Sequence, residues 1–125
     1  SISFEIKMIS KKELLKKADF VTLHVPAQKK YVIDKKEFSE MKNGSVLINA
    51  ARGGVVNEVA LVAALDSGKL IFSALDTFEK EPKPEVQLLM HPKISLTPHI
   101  GAATNEAQDR IGEELANQIN NLLNK

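Results

Sequence analysis

The stretch Met41–Leu61, MKNGSVLINAARGGVVNEVAL, decides how this 125-residue chain folds. Ser45–Asn49 is a short apolar run of the kind that forms a strand buried on both faces. Asn43-Gly44 before it marks a turn. Ala50 and Ala51 are small, so another body can approach the backbone there. Arg52 follows where the strand runs out, and Gly53-Gly54 lets the chain bend sharply. Asn57 is placed to cap a helix over Glu58–Ser67, and Gly68 to stop it. A guanidinium at the carboxyl end of a buried parallel strand lies where open α/β sheets bind ligands. The alternative is an Arg that pairs with a surface acid.

The same grammar repeats outward from this stretch. Downstream, Leu70–Leu75 is the next strand and Ile94–Leu96 a shorter one. Between them Pro82, Pro84 and Pro92 keep Thr77–Lys93 irregular, apart from one helical turn at Val86–Met90. Upstream, Phe20–Val25 is a buried strand ended by Pro26, and Lys35–Met41 a short helix with Phe38 and Met41 inward. Phe4–Ile9 reads as a further short strand. Ser10-Lys11-Lys12-Glu13 reads as a capping box, with Glu13 reaching back to the Ser10 amide, opening a helix whose buried stripe is Leu14, Leu15 and Ala18. At the other end Thr104 caps a long helix to Asn124, residues 104–124. Its stripe Ala107, Ile111, Leu115, Ile119 and Leu122 is either core packing or a surface that docks on another domain or subunit. Strand–helix–strand repeated in this way predicts an α/β fold over residues 1–125, with parallel strands and right-handed crossovers.

Composition narrows the function. The net charge of +1 argues against nucleic acid or an anionic membrane as partner. No cysteine is present, which removes disulfides and thiolate chemistry and is compatible with a reducing cytoplasm, the expected location. No metal-ligand spacing is evident, and no apolar run approaches membrane-spanning length.

Arg52, Glu81 and His99 each lie just past a strand. The blocks N-A-A-R-G-G (49–54), D-T-F-E-K-E-P (76–82) and T-P-H-I-G-A (97–102) that contain them resemble the D-isomer-specific 2-hydroxyacid dehydrogenases. The phosphoglycerate dehydrogenase and glyoxylate/hydroxypyruvate reductase branch is the most similar. The resemblance implies a catalytic trio: Arg52 anchors the substrate, His99 is the acid/base and Glu81 its partner. The residue types suit these tasks. A planar guanidinium binds a carboxylate in two places, imidazole exchanges protons near neutral pH, and a carboxylate fixes the ring. The hydride must come from a cofactor, NAD or NADP in the family, because no side chain carries one. The resemblance further places Asp76 near the nicotinamide carboxamide, with Ala50, Ala51 and Gly101 as backbone neighbours. It puts His24 and Pro26 on the adenine side of the cleft. Read from its apolar strand alone, His24 is a packed core histidine. The loop Ala27-Gln28-Lys29-Lys30 is shorter than the family's. Glu79 and Glu85 read as solvated loop acids, and His91-Pro92 as a surface loop.

The family's phosphate-binding turn, G-x-G-x-x-G, is not among Gly44, Gly53, Gly54, Gly68, Gly101 and Gly112. The expectation is therefore the second half of a doubly wound, Rossmann-like dinucleotide-binding domain, a fragment with weak or no cofactor binding of its own. In the strand order 3-2-1-4-5-6 the strand at Phe20 then lacks a neighbour. Its edge is expected to be covered by Phe4–Ile9 or by a second copy, which makes a homodimer, or pairing with the missing half, the expected assembly. The substrate implied is a small 2-keto or 2-hydroxy acid. The alternative is a non-catalytic or engineered half-domain that folds and self-associates without turnover; a third reading is an enzyme completed by a partner chain.

Overall fold

The computed structural model describes residues 3–124. In chain order the elements are α1 (Lys11–Lys17), β1 (Phe20–Leu23), α2 (Lys35–Glu40), β2 (Ser45–Asn49), α3 (Glu58–Asp66), β3 (Leu70–Leu75), α4 (Val86–Leu89), β4 (Ile94–Leu96) and α5 (Asn105–Leu123). The strands form one parallel sheet in the order β1-β2-β3-β4, an α/β, Rossmann-like fold. Asn57 caps α3 by accepting the Ala60 amide, and Thr104 caps α5 by accepting that of Ala107. A full capping box sits at α2, where Asp34 and Glu37 satisfy each other's amides. At α1 only half of the expected box forms. Ser10 accepts the Glu13 amide, while the Glu13 carboxylate pairs with Lys17 instead.

Register explains which side chains are buried. Val21, Leu47, Ser73 and Ile94 form one row across the sheet, and Leu23, Asn49, Leu75 and Leu96 the next. Of these Val21, Leu23, Leu47, Asn49, Ser73 and Leu75 are buried, in a core completed by Leu15, Phe38, Met41, Leu61, Leu65 and Leu88. The opposite face carries the row Phe20, Val46 and Phe72, with Phe20 70% and Phe72 39% exposed. The sheet is thus covered on one face and open on the other, which corrects the expectation that Ser45–Asn49 is buried on both.

Other expectations also change. Residues 4–9 form no strand; Phe4, Ile6 and Met8 are exposed, and among the described residues nothing pairs with the outer edge of β1. An alternating run is a strand only when an edge accepts its hydrogen bonds, and this segment takes none. Of the expected stripe Leu15 is fully buried and Ala18 packs against the core at the end of α1, while Leu14 is 38% exposed. No residue of α5 is buried, and Ile111, Leu115, Ile119 and Leu122 all face solvent. The core-packing reading of that stripe is excluded here.

Candidate functional site

All four strands are parallel, so their carboxyl ends share one edge of the sheet, and Asn49, Leu75 and Leu96 lie side by side there. Three loops leave that edge together. One carries Arg52, the second Asp76 and Glu81, and the third His99.

His99 and Glu81 meet directly, with His99 Nδ1 2.7 Å from Glu81 Oε2. An ionised carboxylate only accepts, so Nδ1 carries the proton of this bond and Nε2 is the ring atom left for exchange. The second Glu81 oxygen accepts the Phe78 amide at 2.9 Å. The His99 bond first, then the Phe78 amide, hold the Glu81 carboxyl below its usual range. His99 has φ of +56°, a left-handed conformation uncommon outside glycine and asparagine-like residues.

Asp76 sustains that conformation. Its Oδ1 accepts the Thr97 hydroxyl at 2.6 Å and the Ile100 amide at 2.9 Å, and its Oδ2 the Gly101 amide at 2.9 Å. The loop on either side of His99 is therefore tied to one carboxylate. Partial burial works against the charge on Asp76, but the Thr97 hydroxyl and the two amides outweigh it and hold the carboxyl low. The pH consequence has a definite sign. Carboxyls lowered on folding stabilise the loop above their ordinary range, and that stabilisation is lost as pH falls through the folded values. The Ile100 and Gly101 amide resonances should thus stay fixed near neutrality and move only below the ordinary aspartate value of 3.8. Movement of both between pH 5 and 8 would show that another group holds the loop.

Arg52 is exposed and has no acidic partner among the described residues. Its Nη1 donates to the Ala51 carbonyl at 2.7 Å, so surface pairing with an acid is not its role here. The Arg52 turn reaches the Glu81 loop through Gly53, which is packed against the Phe78 carbonyl. Beside the His99–Glu81 pair lies a cavity of about 420 Å³ walled by Phe78, Pro82, Leu89, Leu96 and Pro98. Arg52 does not line it.

The remaining expected site residues divide. Ala50 and Gly101 are exposed at the rim; Gly101 leaves 3.1 Å between an added Cβ and Asp76 Oδ2. Ala51 is buried, with its amide taken by Asn49 Oδ1, so only Ala50 offers an open approach. His24 and Pro26 lie just past β1 and are exposed. His24 bonds Thr22 through Nε2 at 2.9 Å and is not a core residue, because it alternates with buried Val21 and Leu23 and falls on the exposed side with Phe20 and Thr22. Glu79 is not a free loop acid. Its Oε1 accepts the Glu58 amide at the start of α3, the Glu58 carboxylate accepts the Glu79 amide in turn, and Tyr31 donates its hydroxyl to Glu79. Burial, followed in size by the opposing pull of the Glu79 amide and then by the charges of Glu79 and Glu85, leaves the Glu58 carboxyl raised. His91 is also anchored, between Asp66 and the Lys93 amide. Sequence reasoning missed the tying role of Asp76, the Glu58–Glu79 exchange and the contact at Gly53.

Comparison with known proteins adds to this geometry. The sequence pattern of the D-isomer specific 2-hydroxyacid dehydrogenase NAD binding domain matches residues 2–101. The D-3-phosphoglycerate dehydrogenase of Archaeoglobus fulgidus is 42% identical over 120 residues, covering 94% of this chain and 23% of the relative. The 4-methyl-2-oxopentanoate reductase A of Aspergillus oryzae is 41% identical over 119 residues, covering 94% of this chain and 36% of the relative. Among solved structures, a glyoxylate reductase from Paecilomyes thermophila superposes with a TM-score of 0.79 at 38% identity, covering 90% of this chain and 35% of that one. The chain therefore spans well under half the length of these relatives. With the loop order, the His99–Glu81 pair and the sequence match in agreement, the chain belongs to the D-isomer specific 2-hydroxyacid dehydrogenase family, within its NAD-binding domain.

Proposed function

We propose that this domain contributes the acid/base and substrate-anchoring half of an oxidoreductase that interconverts D-2-hydroxy acids and 2-keto acids. The observation that carries the reading is the His99–Glu81 pair at 2.7 Å on the carboxyl rim of a parallel sheet. Nδ1 is committed to Glu81, so Nε2 can give a proton to a keto oxygen and take it back in the reverse direction. Glu81 keeps the ring aligned and compensates its charge. Arg52, with no acidic partner among the described residues, can turn from the Ala51 carbonyl to grip a carboxylate with its fork. An apolar cavity lies beside the pair, with room for the substrate's carbon skeleton.

A nicotinamide cofactor, when bound, supplies the hydride. The rim fits its reactive end, because exposed Ala50 and Gly101 leave the backbone approachable beside His99. The pyrophosphate is not provided for, since no G-x-G-x-x-G turn occurs in these residues. We therefore read the working unit as this chain together with a half that carries that turn. The β1 edge, unpaired among the described residues, the open Phe20–Val46–Phe72 face and the α5 stripe support a covering partner, a segment carrying the glycine turn or a second copy.

The test joins this chain to the glycine-turn and substrate segments of the Archaeoglobus relative and follows NADH oxidation with glyoxylate, hydroxypyruvate and 3-phosphohydroxypyruvate. Reduction of at least one keto acid is expected, while calorimetry of NADH with the 125-residue chain alone should show no micromolar binding. A joined protein that binds NADH but reduces none of them would refute the reading.

A further inference from the structure

The structure assigns Asn49 as the positioning residue of Arg52, an assignment that rests on the function proposed above. Asn49 ends β2 in the alternating row whose side chains enter the core, after Ser45 and Leu47, and is only 3% exposed. Packing alone would favour an aliphatic residue there, since burying an amide is unfavourable unless it is hydrogen-bonded. Both the oxygen and the nitrogen of the amide are engaged, and by one turn. Its Oδ1 accepts the Ala51 amide at 3.1 Å, and its Nδ2 donates to the Arg52 carbonyl at 3.3 Å. These bonds hold the peptide planes on either side of the one joining Ala51 to Arg52. The carbonyl of that bracketed peptide is the group that holds Arg52 Nη1. The main-chain carbonyl of Asn49 accepts the Asp76 amide at 2.9 Å, so the same residue joins the Arg52 turn to the strand end that ties the His99 loop. Asn49 touches neither substrate nor cofactor; it sets the direction from which the guanidinium leaves the sheet.

Two variants separate this from a purely structural role. Asn49→Leu keeps the buried volume and removes both bonds. Asn49→Asp keeps an acceptor for the Ala51 amide and removes the donor to Arg52. In the joined enzyme, Asn49→Leu should raise the KM for the keto acid by on the order of tenfold to a hundredfold, the scale of a small misplacement. The pH profile of kcat should stay as in the unchanged protein. Asn49→Asp should fall between the two. In the 125-residue chain, hydrogen exchange at the Ala51 amide should quicken in Asn49→Leu, and the Arg52 side-chain Nε–H resonance should move, with the His99 ring signals unmoved. Unchanged KM and unchanged Ala51 exchange in Asn49→Leu would overturn the assignment, as would a KM rise accompanied by a shifted pH profile. Should the joined enzyme reduce no keto acid at all, the functional reading fails, and the exchange and Arg52 resonance still decide whether Asn49 positions the arginine.

Discussion

Replacing His99 with Asn in the joined enzyme should lower keto-acid reduction by about 10²–10⁴-fold, the usual contribution of a positioned general acid, with a far smaller change in KM. The choice of asparagine matters. His99 sits at φ +56°, and asparagine is among the few residues that accept the left-handed region readily. The loop between Thr97 and Gly101 then keeps its three bonds to Asp76, one from the Thr97 hydroxyl and two from backbone amides, and the substitution removes the ring nitrogen Nε2 without moving the loop. A β-branched replacement would confuse loss of the proton with collapse of the loop. Single-turnover NADH oxidation reads the chemical step, and the Ile100 and Gly101 amide shifts confirm that the loop is intact. A loss smaller than tenfold with those shifts unchanged would remove His99 from the acid/base role and leave it a structural partner of Glu81.

Much of this arrangement was legible before any coordinates, and the reasons differ from place to place. Leu70–Leu75 and Ile94–Leu96 were readable to the residue, because Gly68 stops the helix before the first and Pro92 and Pro98 bracket the second. Asn57 and Thr104 were readable as caps because a cap is a local bond, made within three residues. The site was legible as three motifs at the ends of strands, since parallel strands deliver their loops to one edge. What escaped were features decided by distant partners or by their absence. Phe4, Ile6 and Met8 alternate like a strand, yet pairing needs a neighbouring edge that these residues do not meet. His24 stands in an apolar run but on the alternate side from buried Val21 and Leu23, and so faces solvent with Phe20 and Thr22. Asn49 looked like the last letter of a strand; its use of both amide atoms on the following turn appears only once the turn is closed. Glu58 and Glu79 are separated by 21 positions and exchange bonds that no local pattern announces.

The glycine pair in the opening stretch shows the same limit most sharply, and yields the prediction with the largest effect on stability. Sequence assigns Gly53 and Gly54 one shared task, a sharp bend. In the structure they do different things. Gly54 has φ of +77°, and a Cβ added there meets nothing within 4 Å. Alanine at 54 should therefore cost only the left-handed backbone penalty, about 1–2 kcal/mol. Gly53 has no positive φ to defend, but a Cβ added there would stand 1.8 Å from the Phe78 carbonyl oxygen and 2.5 Å from its carbon, where real contacts do not fall below 3.0 Å. Both sides of this contact are backbone, and both are fixed. The Gly53 side is held by the Asn49 bonds and by fully buried Val55. The Phe78 side is held by Glu81 on the Phe78 amide, by the Glu58–Glu79 exchange and by the buried Phe78 ring. Relief requires the two loops to part by more than an ångström, which breaks one of those sets. Gly53→Ala should accordingly cost about 4–5 kcal/mol or more, the range reserved for overpacking and lost buried networks, against a total of about 5–15 kcal/mol for a domain. Urea denaturation of the two alanine variants side by side measures the difference. Equal midpoints for Gly53→Ala and Gly54→Ala would mean that the Arg52 and Glu81 loops are not in rigid contact. Any Gly53→Ala protein that still folds should lose the register between Arg52 and the His99–Glu81 pair, because Glu81 is anchored on the displaced Phe78.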